Sequence, residues 1–410
     1  MERPTQAVIL AGGRGTRLRP LTDTRPKAMV LVHGKPFLEY QIEQLREQGF
    51  TRVLLLLGYR AQVIREHFGD GGRWGVRIDY SVTPVEDETA WRLERARHLF
   101  DRHFLLMYCD NYWPLDFDRH WRRFRESGCP AMITVYTNRD GYTQNSVRVE
   151  PDGKVSLYDK SCSRSGLNGV EISYAILSRE VLDLLPGENT LFETAVYPEL
   201  ARRGELAAFV TEHRYYSIGS LRKLPLTEEF FRRRKTILLD RDGVLNEKPP
   251  PGQYVERWRD FRWLPGTLPA LRLLHQSGYR IIVISNQAGV ARGAISLAEL
   301  DRIHARMRRE AEAAGGAIDA IYCCTHGWDE GCGCRKPKPG LLFQAQRDFQ
   351  LDLSRTVFIG DDERDAQAAA EAGCRFMAVR EDTALISCVA RLLGEETLKE
   401  NIAHAGTAHG

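Results

Sequence analysis

The stretch Ile237–Glu247, ILLDRDGVLNE, decides how this chain is read. A short aliphatic run ends in two aspartates, Asp240 and Asp242, followed by Gly243. A strand alone would place both carboxylates on one face, and a turn at Gly243 redirects them so that they take different tasks. A pair so placed is suited to phosphoryl chemistry, in which one carboxylate can accept the phosphoryl group as an aspartyl-phosphate and the other can handle protons. A lone Asp-x-Asp is more often a polar turn. Here further strand candidates follow in order: RIIVISNQAG carries Ser285 and Asn286, AIDAIYCC precedes Lys336, and TVFIGDD carries Asp361. Open α/β sheets collect their ligands at such strand ends, so the set reads as one site.

Upstream, the runs AVILAGG, RVLLLLG, FLLMYCD and AMITVYT alternate with helical patterns such as PFLEYQIEQLREQGF. That alternation predicts a mostly parallel sheet covered by helices. A length of 410 residues is too long for one typical core. The fold class expected is therefore α/β with two domains, each a Rossmann-like sheet. We place the first domain at 1–225 and a charged linker at 226–235. The second domain is expected at 236–395, followed by a weakly ordered tail at 396–410.

The first strand runs into LAGGRGTRLRPLTDTRPKAM. Gly12, Gly13 and Gly15 allow close backbone approach to phosphate oxygens, and Arg14, Arg17 and Lys27 add cations. The spacing is neither the dinucleotide fingerprint nor the P-loop. The string resembles the signature of sugar-1-phosphate nucleotidyltransferases, continued by GKPFLEY, Thr89-Ala90, CDNYW, YPELARRGELAAF and YYSIGS. The resemblance covers about the first 225 residues. It implies that Gly12 and Gly13 hold a nucleoside triphosphate, Arg17 the leaving pyrophosphate and Lys27 the α-phosphate. It further implies that Asp110 binds Mg²⁺, Lys160 contacts the sugar phosphate, and Asn168 and Gly169 contact the sugar. Two positions depart from the pattern: Ser217 stands where a second metal-binding carboxylate is usual, and Glu88 replaces a glycine.

The ordered motifs of the second half resemble the haloacid dehalogenase superfamily of phosphohydrolases. DRDGVLNE, SNQAGVARG and CRKPKPG, together with a cysteine loop, resemble its heptose-1,7-bisphosphate and histidinol-phosphate phosphatases. The resemblance implies Asp240 as nucleophile, Asp242 as general acid/base, Ser285, Asn286 and Lys336 as phosphate contacts, and Arg335 as substrate contact. Mg²⁺ is expected on Asp240, Asp242 and Asp361. No insertion is large enough for a mobile cap, and the loop NEKPPPGQYV is expected to help enclose the substrate. Asp362 stands where some members have a lysine.

In YCCTHGWDEGCGCRKPKPG, Cys324, His326, Cys332 and Cys334 have the donor types and spacing of a tetrahedral, structural zinc site. A reducing compartment disfavours a disulfide, and no Cys-x-x-Cys opens a helix. Cys323 is assigned to the preceding strand, and Cys109, Cys129, Cys162, Cys374 and Cys388 to packing. Net charge is only +3 and spread along the chain, which argues against nucleic acid as partner. The apolar runs are too short to span a bilayer. A cytoplasmic enzyme is expected.

The two resemblances imply consecutive steps. A phosphatase removes the 7-phosphate of a heptose 1,7-bisphosphate, and a nucleotidyltransferase then activates the heptose 1-phosphate, with GTP the first choice. Histidinol phosphate as phosphatase substrate, another sugar or nucleotide, and a catalytically inactive first half remain open alternatives.

Overall fold

The computed structural model describes residues 2–380 and 383–407, and side chains only as far as 396 in the last helix. The chain divides into two compact units, Met1–Arg232 and Arg233–Gly410.

The first unit is built on a seven-stranded sheet. Its order is Leu206–Thr211, Ala131–Tyr136, Val170–Ser178, His103–Tyr108, Gln6–Ala11, Arg52–Leu57, Arg77–Val82. All neighbours pair parallel except Val170–Ser178, which runs antiparallel to both of its partners. Gln6–Ala11 is buried along its whole length, as expected of a central strand covered on both faces. Alternate residues feed two cores. Ile9, Leu55 and Met107 pack with Leu38, Ile42 and Leu45 of helix Phe37–Glu47. Val8, Leu54 and Leu106 pack with Val196 and Leu200 of helix Phe192–Arg203. The carboxyl ends of the parallel strands therefore carry both the glycine-rich turn after Ala11 and Asp110 after Tyr108.

Residues 226–231 of the expected linker are helical, and the division between the units falls in its last part, after Arg232. Leu224–Phe231 forms a helix with a proline in its first turn, where the missing N–H costs nothing. Phe230 and Phe231 are buried against Phe37, Tyr40, Tyr112 and Tyr216. The charges that suggested a linker lie beside an aromatic face that closes the first unit.

The second unit holds five parallel strands in the order Ala320–Cys324, Arg280–Asn286, Thr236–Leu239, Val357–Gly360, Arg375–Ala378. Each connection carries one α-helix, in agreement with the absence of a large cap. Asp240, Asn286, Cys324 and Gly360 thus stand at one end of the sheet. The expected boundary at 395 falls inside helix Leu385–Thr407, so the tail does not begin there. The last part of the expected tail, 408–410, lies outside the described residues. Among the described residues no helix is long and apolar enough to cross a membrane.

Candidate active sites

In the second unit, Lys336 is 3% exposed, and its ammonium lies 2.7 Å from Asp240 Oδ1, 2.6 Å from Asp365 Oδ1 and 3.0 Å from the Ile284 carbonyl. Burial works against that charge, but Asp240 and Asp365 together raise the lysine's pKa. Burial also pushes the Asp240 carboxyl up, helped by Asp365 and Asp242 and opposed by Lys336. The nucleophile candidate and its cation are therefore held in contact before any substrate arrives. Asn286 does not face the cavity as a free amide. It receives the Lys336 backbone N–H at 3.1 Å and donates to the Lys336 carbonyl at 3.1 Å, so it fixes the lysine's backbone. The Ser285 hydroxyl accepts from Gln287 at 2.8 Å and lines the cavity.

Asp240, Asp361 and Asp365 bring one carboxylate oxygen each within 4.8 Å of one another. Asp361 Oδ1 is buried without a hydrogen-bond partner. An orphaned anionic oxygen beside two more carboxylates fits a hard divalent cation with oxygen ligands. Asp242, expected as a further Mg²⁺ ligand, does not join this group. Its oxygens are taken by Arg241, Asn246 and Gln287, which hold its carboxyl below the usual range against the effect of burial. Asp365 stands in the carboxylate group instead.

Around these residues lies a cavity of about 460 Å³. Pro249–Pro251 and Tyr254 from the loop after Asp240 form part of its wall, as expected of NEKPPPGQYV. The cationic residues lining it are Arg241, Lys248, Arg335, Lys336 and Arg364. Lys248 pairs with Asp361 at 2.7 Å and with Asp362 at 3.1 Å, and Arg364 pairs with Asp362 at 2.8 Å. Arg335 Nη1 is buried without a hydrogen-bond partner.

The cysteine loop begins inside the strand, because Cys323 and Cys324 are both strand residues. Cys324 Sγ lies 3.6 Å from His326 Nδ1 and 3.6 Å from Cys332 Sγ; Cys334 Sγ lies 3.2 Å from His326 Nδ1 and 3.6 Å from Cys332 Sγ. A tetrahedron with Zn–S bonds of about 2.3 Å has edges of about 3.8 Å, so the four donors already approach that shape. Trp328, inside the same loop, is 58% exposed and lies under the Arg292 guanidinium, 3.7 Å from its ring centre. Of the cysteines assigned to packing, Cys109, Cys129, Cys374 and Cys388 are buried, whereas Cys162 sits in a turn at φ 57° and is only partly covered.

In the first unit, Lys27 and Asp110 form an ion pair, with Ser217 close by in the register that pairs it with Asn111. Burial raises Asp110, but Lys27, Lys160 and Arg17 bring it below its ordinary value. Gly13 is open to solvent on its Cβ side, whereas the space beside Gly12 is filled by the Arg92 guanidinium. Lys160 bonds Glu193 at 3.0 Å; Glu193 also accepts from Tyr108 at 2.5 Å and Thr89 at 3.1 Å. Asn168 is not brought to this group: its amide donates to the Val149 carbonyl at 2.9 Å and accepts from the Val149 N–H at 2.8 Å, mimicking a strand neighbour. Gly169 is small because Val135 packs against it. Glu88 is exposed at the start of helix Thr89–Arg95, so its charge is solvated.

Sequence reasoning passed over Glu171, Glu193, Arg92, Lys248 and Arg241, and it took Asp365 only as the end of the acidic motif Gly360–Asp365. Glu171 and Glu193 were detectable as acidic residues inside otherwise apolar patterns. Arg92 and Arg241 carry no such signal, since a surface arginine looks the same in sequence.

Known proteins agree with both halves. The nucleotidyl transferase family model matches residues 6–155, and a HAD-hydrolase-like model matches residues 333–388. A crystal structure from Bacillus anthracis described as a "putative glucose-1-phosphate thymidylyltransferase" shares the fold, covering 55% of this chain and 95% of that one at 16% identity and TM-score 0.50. HddC from Yersinia pseudotuberculosis covers 56% of this chain and 100% of that one, at 27% identity and TM-score 0.47. The chain therefore joins a domain matched by the nucleotidyl transferase model to a region matched by the phosphatase-type model. The D-glycero-β-D-manno-heptose-1,7-bisphosphate 7-phosphatase of Bordetella bronchiseptica is 43% identical over 140 residues, 34% of this chain and 77% of the relative. Through its second unit the chain belongs to that phosphatase family.

Proposed function

We propose that the second unit hydrolyses the 7-phosphate of D-glycero-D-manno-heptose 1,7-bisphosphate and that the first unit transfers a nucleotidyl group to the resulting heptose 1-phosphate. The observation that carries the phosphatase reading is Lys336 clasped between Asp240 and Asp365 in a cavity that also presents the unpartnered Arg335 Nη1. One cation serves the reacting phosphate, and the arginine suits a second phosphate on the same small molecule.

Asp240 attacks phosphorus, the bond to the sugar oxygen breaks, and that oxygen takes a proton from Asp242. Water then attacks the aspartyl-phosphate, gives its proton to Asp242 and frees Asp240 and phosphate. Ser285 and Lys336 offer hydrogen bonds to the transferring phosphoryl oxygens. Asp240, Asp361 and Asp365 would hold Mg²⁺, which when bound offsets negative charge on the phosphoryl group. Cys324, His326, Cys332 and Cys334 would hold a zinc ion with no position left for water, hence structural.

In the first unit, the backbone at Gly13 and the Arg17 side chain receive the triphosphate, and Lys27 neutralises the α-phosphate. Lys160, oriented by Glu193, meets the sugar phosphate. Asp110 would hold Mg²⁺ there. Oxygen of the sugar 1-phosphate attacks the α-phosphorus and pyrophosphate leaves, with GTP the favoured donor.

A phosphate-release screen over heptose 1,7-bisphosphate anomers, hexose bisphosphates and histidinol phosphate tests the first reading; preference for histidinol phosphate would overturn it. Pyrophosphate release from GTP, ATP, UTP and dTTP with heptose 1-phosphate tests the second. Because the Ser217 hydroxyl accepts the Gly219 N–H instead of supplying a carboxylate, absence of release with every donor would mark the first unit as a sugar-binding module without transferase chemistry.

A further inference from the structure

Arg241 lies between the two aspartates of the phosphatase site and is the largest fully buried side chain, 1% exposed. Burying a guanidinium is costly unless its donors are matched. Its Nη2 donates to Asp242 Oδ1 and Oδ2 at 2.9 Å each, and its Nε to Oδ1 at 3.1 Å. On its far side Nη1 is 3.4 Å from Nε2 of His304, a residue of helix Leu297–Ala313. Burial lowers His304 to about 3, so the ring is neutral and Nε2 accepts. Cys323 Sγ stands 3.9 Å from the same nitrogen. Asn246 adds a bond to Oδ1 and Gln287 one to Oδ2, each at 2.8 Å.

We propose that Arg241, backed by His304, is a positioning residue that locks the Asp242 carboxylate as the proton acceptor for hydrolysis of the aspartyl-phosphate. The inference rests on the roles given above to Asp240 and Asp242. Oδ1 is saturated by Arg241 and Asn246, which leaves Oδ2, the less engaged oxygen, for the attacking water. That water forms its bond to phosphorus as the bond to Asp240 breaks, and its proton passes to Oδ2. A fork of two nitrogens fixes the plane of the carboxylate; a lysine supplies the same charge without fixing it. With a leaving group that needs no proton, the arrangement acts on the second chemical step and spares the first.

Stopped-flow measurement with p-nitrophenyl phosphate separates the steps, because an aryl leaving group departs without needing a proton. In Arg241→Lys and His304→Leu we expect a burst of nitrophenol close to one per active site, followed by steady turnover slowed by about 10²-fold or less, in the range of a general base. His304→Gln, which keeps an acceptor for Arg241, should recover most of that turnover. Steady rates equal to wild type, or burst and steady phases slowed by one common factor in both variants, would overturn the proposal. Asp242→Asn separates the two levels of inference. If it turns over normally, the role of Asp242 itself is wrong; if it stalls while the Arg241 and His304 variants run normally, only the clamp is wrong.

Discussion

Glu171 is half-buried in the first unit near Lys160, Glu193 and Asp110, and desolvation pushes its carboxyl up to about 7, against the pull of Lys160. A group whose folded pKa is raised contributes stability that is present below its unfolded pKa and lost as pH rises through the folded one. The wild-type protein should therefore lose about 2 kcal/mol relative to Glu171→Gln between pH 5 and pH 8. Denaturant titrations of the first unit's transition at the two pH values check this; equal differences at both would refute it. At Asp361, Asn substitution removes the orphaned anionic oxygen, and Mg²⁺ needed for half-maximal phosphatase activity should rise by about 10-fold or more. Metal titration of activity reads this directly. At this scale the sequence was partly legible. The order of motifs identified Asp240, Ser285, Lys336 and Asp361, but motif matching cannot show where an amide points. Asn168 and Asn286 looked like ligand contacts, yet both spend their amides on neighbouring backbone.

Among elements, the strand candidates were legible because buried parallel strands are continuous apolar runs. Helix Leu224–Phe231 was not, because it is short, it runs into a charged stretch, and its partners lie far back in the sequence, at Phe37, Tyr40 and Tyr112. If it is a packed element, Phe231→Ala should destabilise the first unit by about 3 kcal/mol; an exposed linker residue would cost less than about 0.5 kcal/mol. The shift in the first unit's unfolding midpoint decides between them. The cysteine loop ends only two positions before Lys336, whose backbone Asn286 grips from the neighbouring strand. If Cys324, His326, Cys332 and Cys334 hold zinc as proposed, chelating it should raise KM and lower kcat of the phosphatase, leave its Mg²⁺ requirement in place, and spare nucleotidyl transfer. Full phosphatase activity in demonstrably zinc-free protein would break that link.

At the scale of the molecule, each unit has its own sheet, core and reactive strand ends. Asp240→Asn should abolish phosphate release while pyrophosphate release from heptose 1-phosphate continues, and Asp110→Asn should do the reverse. Parallel assays on the two variants measure this; loss of both activities in either one would contradict independent sites. Helix Leu224–Phe231 has a further consequence for biosynthesis. Its aromatic residues complete a cluster begun at Leu18 and Phe37, so the first unit cannot seal that surface until almost its last residue has been synthesised. Domains fold largely in order of synthesis, at about 5–20 residues per second. A ribosome that stalls or terminates shortly before Phe231 would release a chain with a sticky aromatic trough, a substrate for chaperones. A ribosome that passes it delivers a finished enzyme unit before the second has begun to emerge.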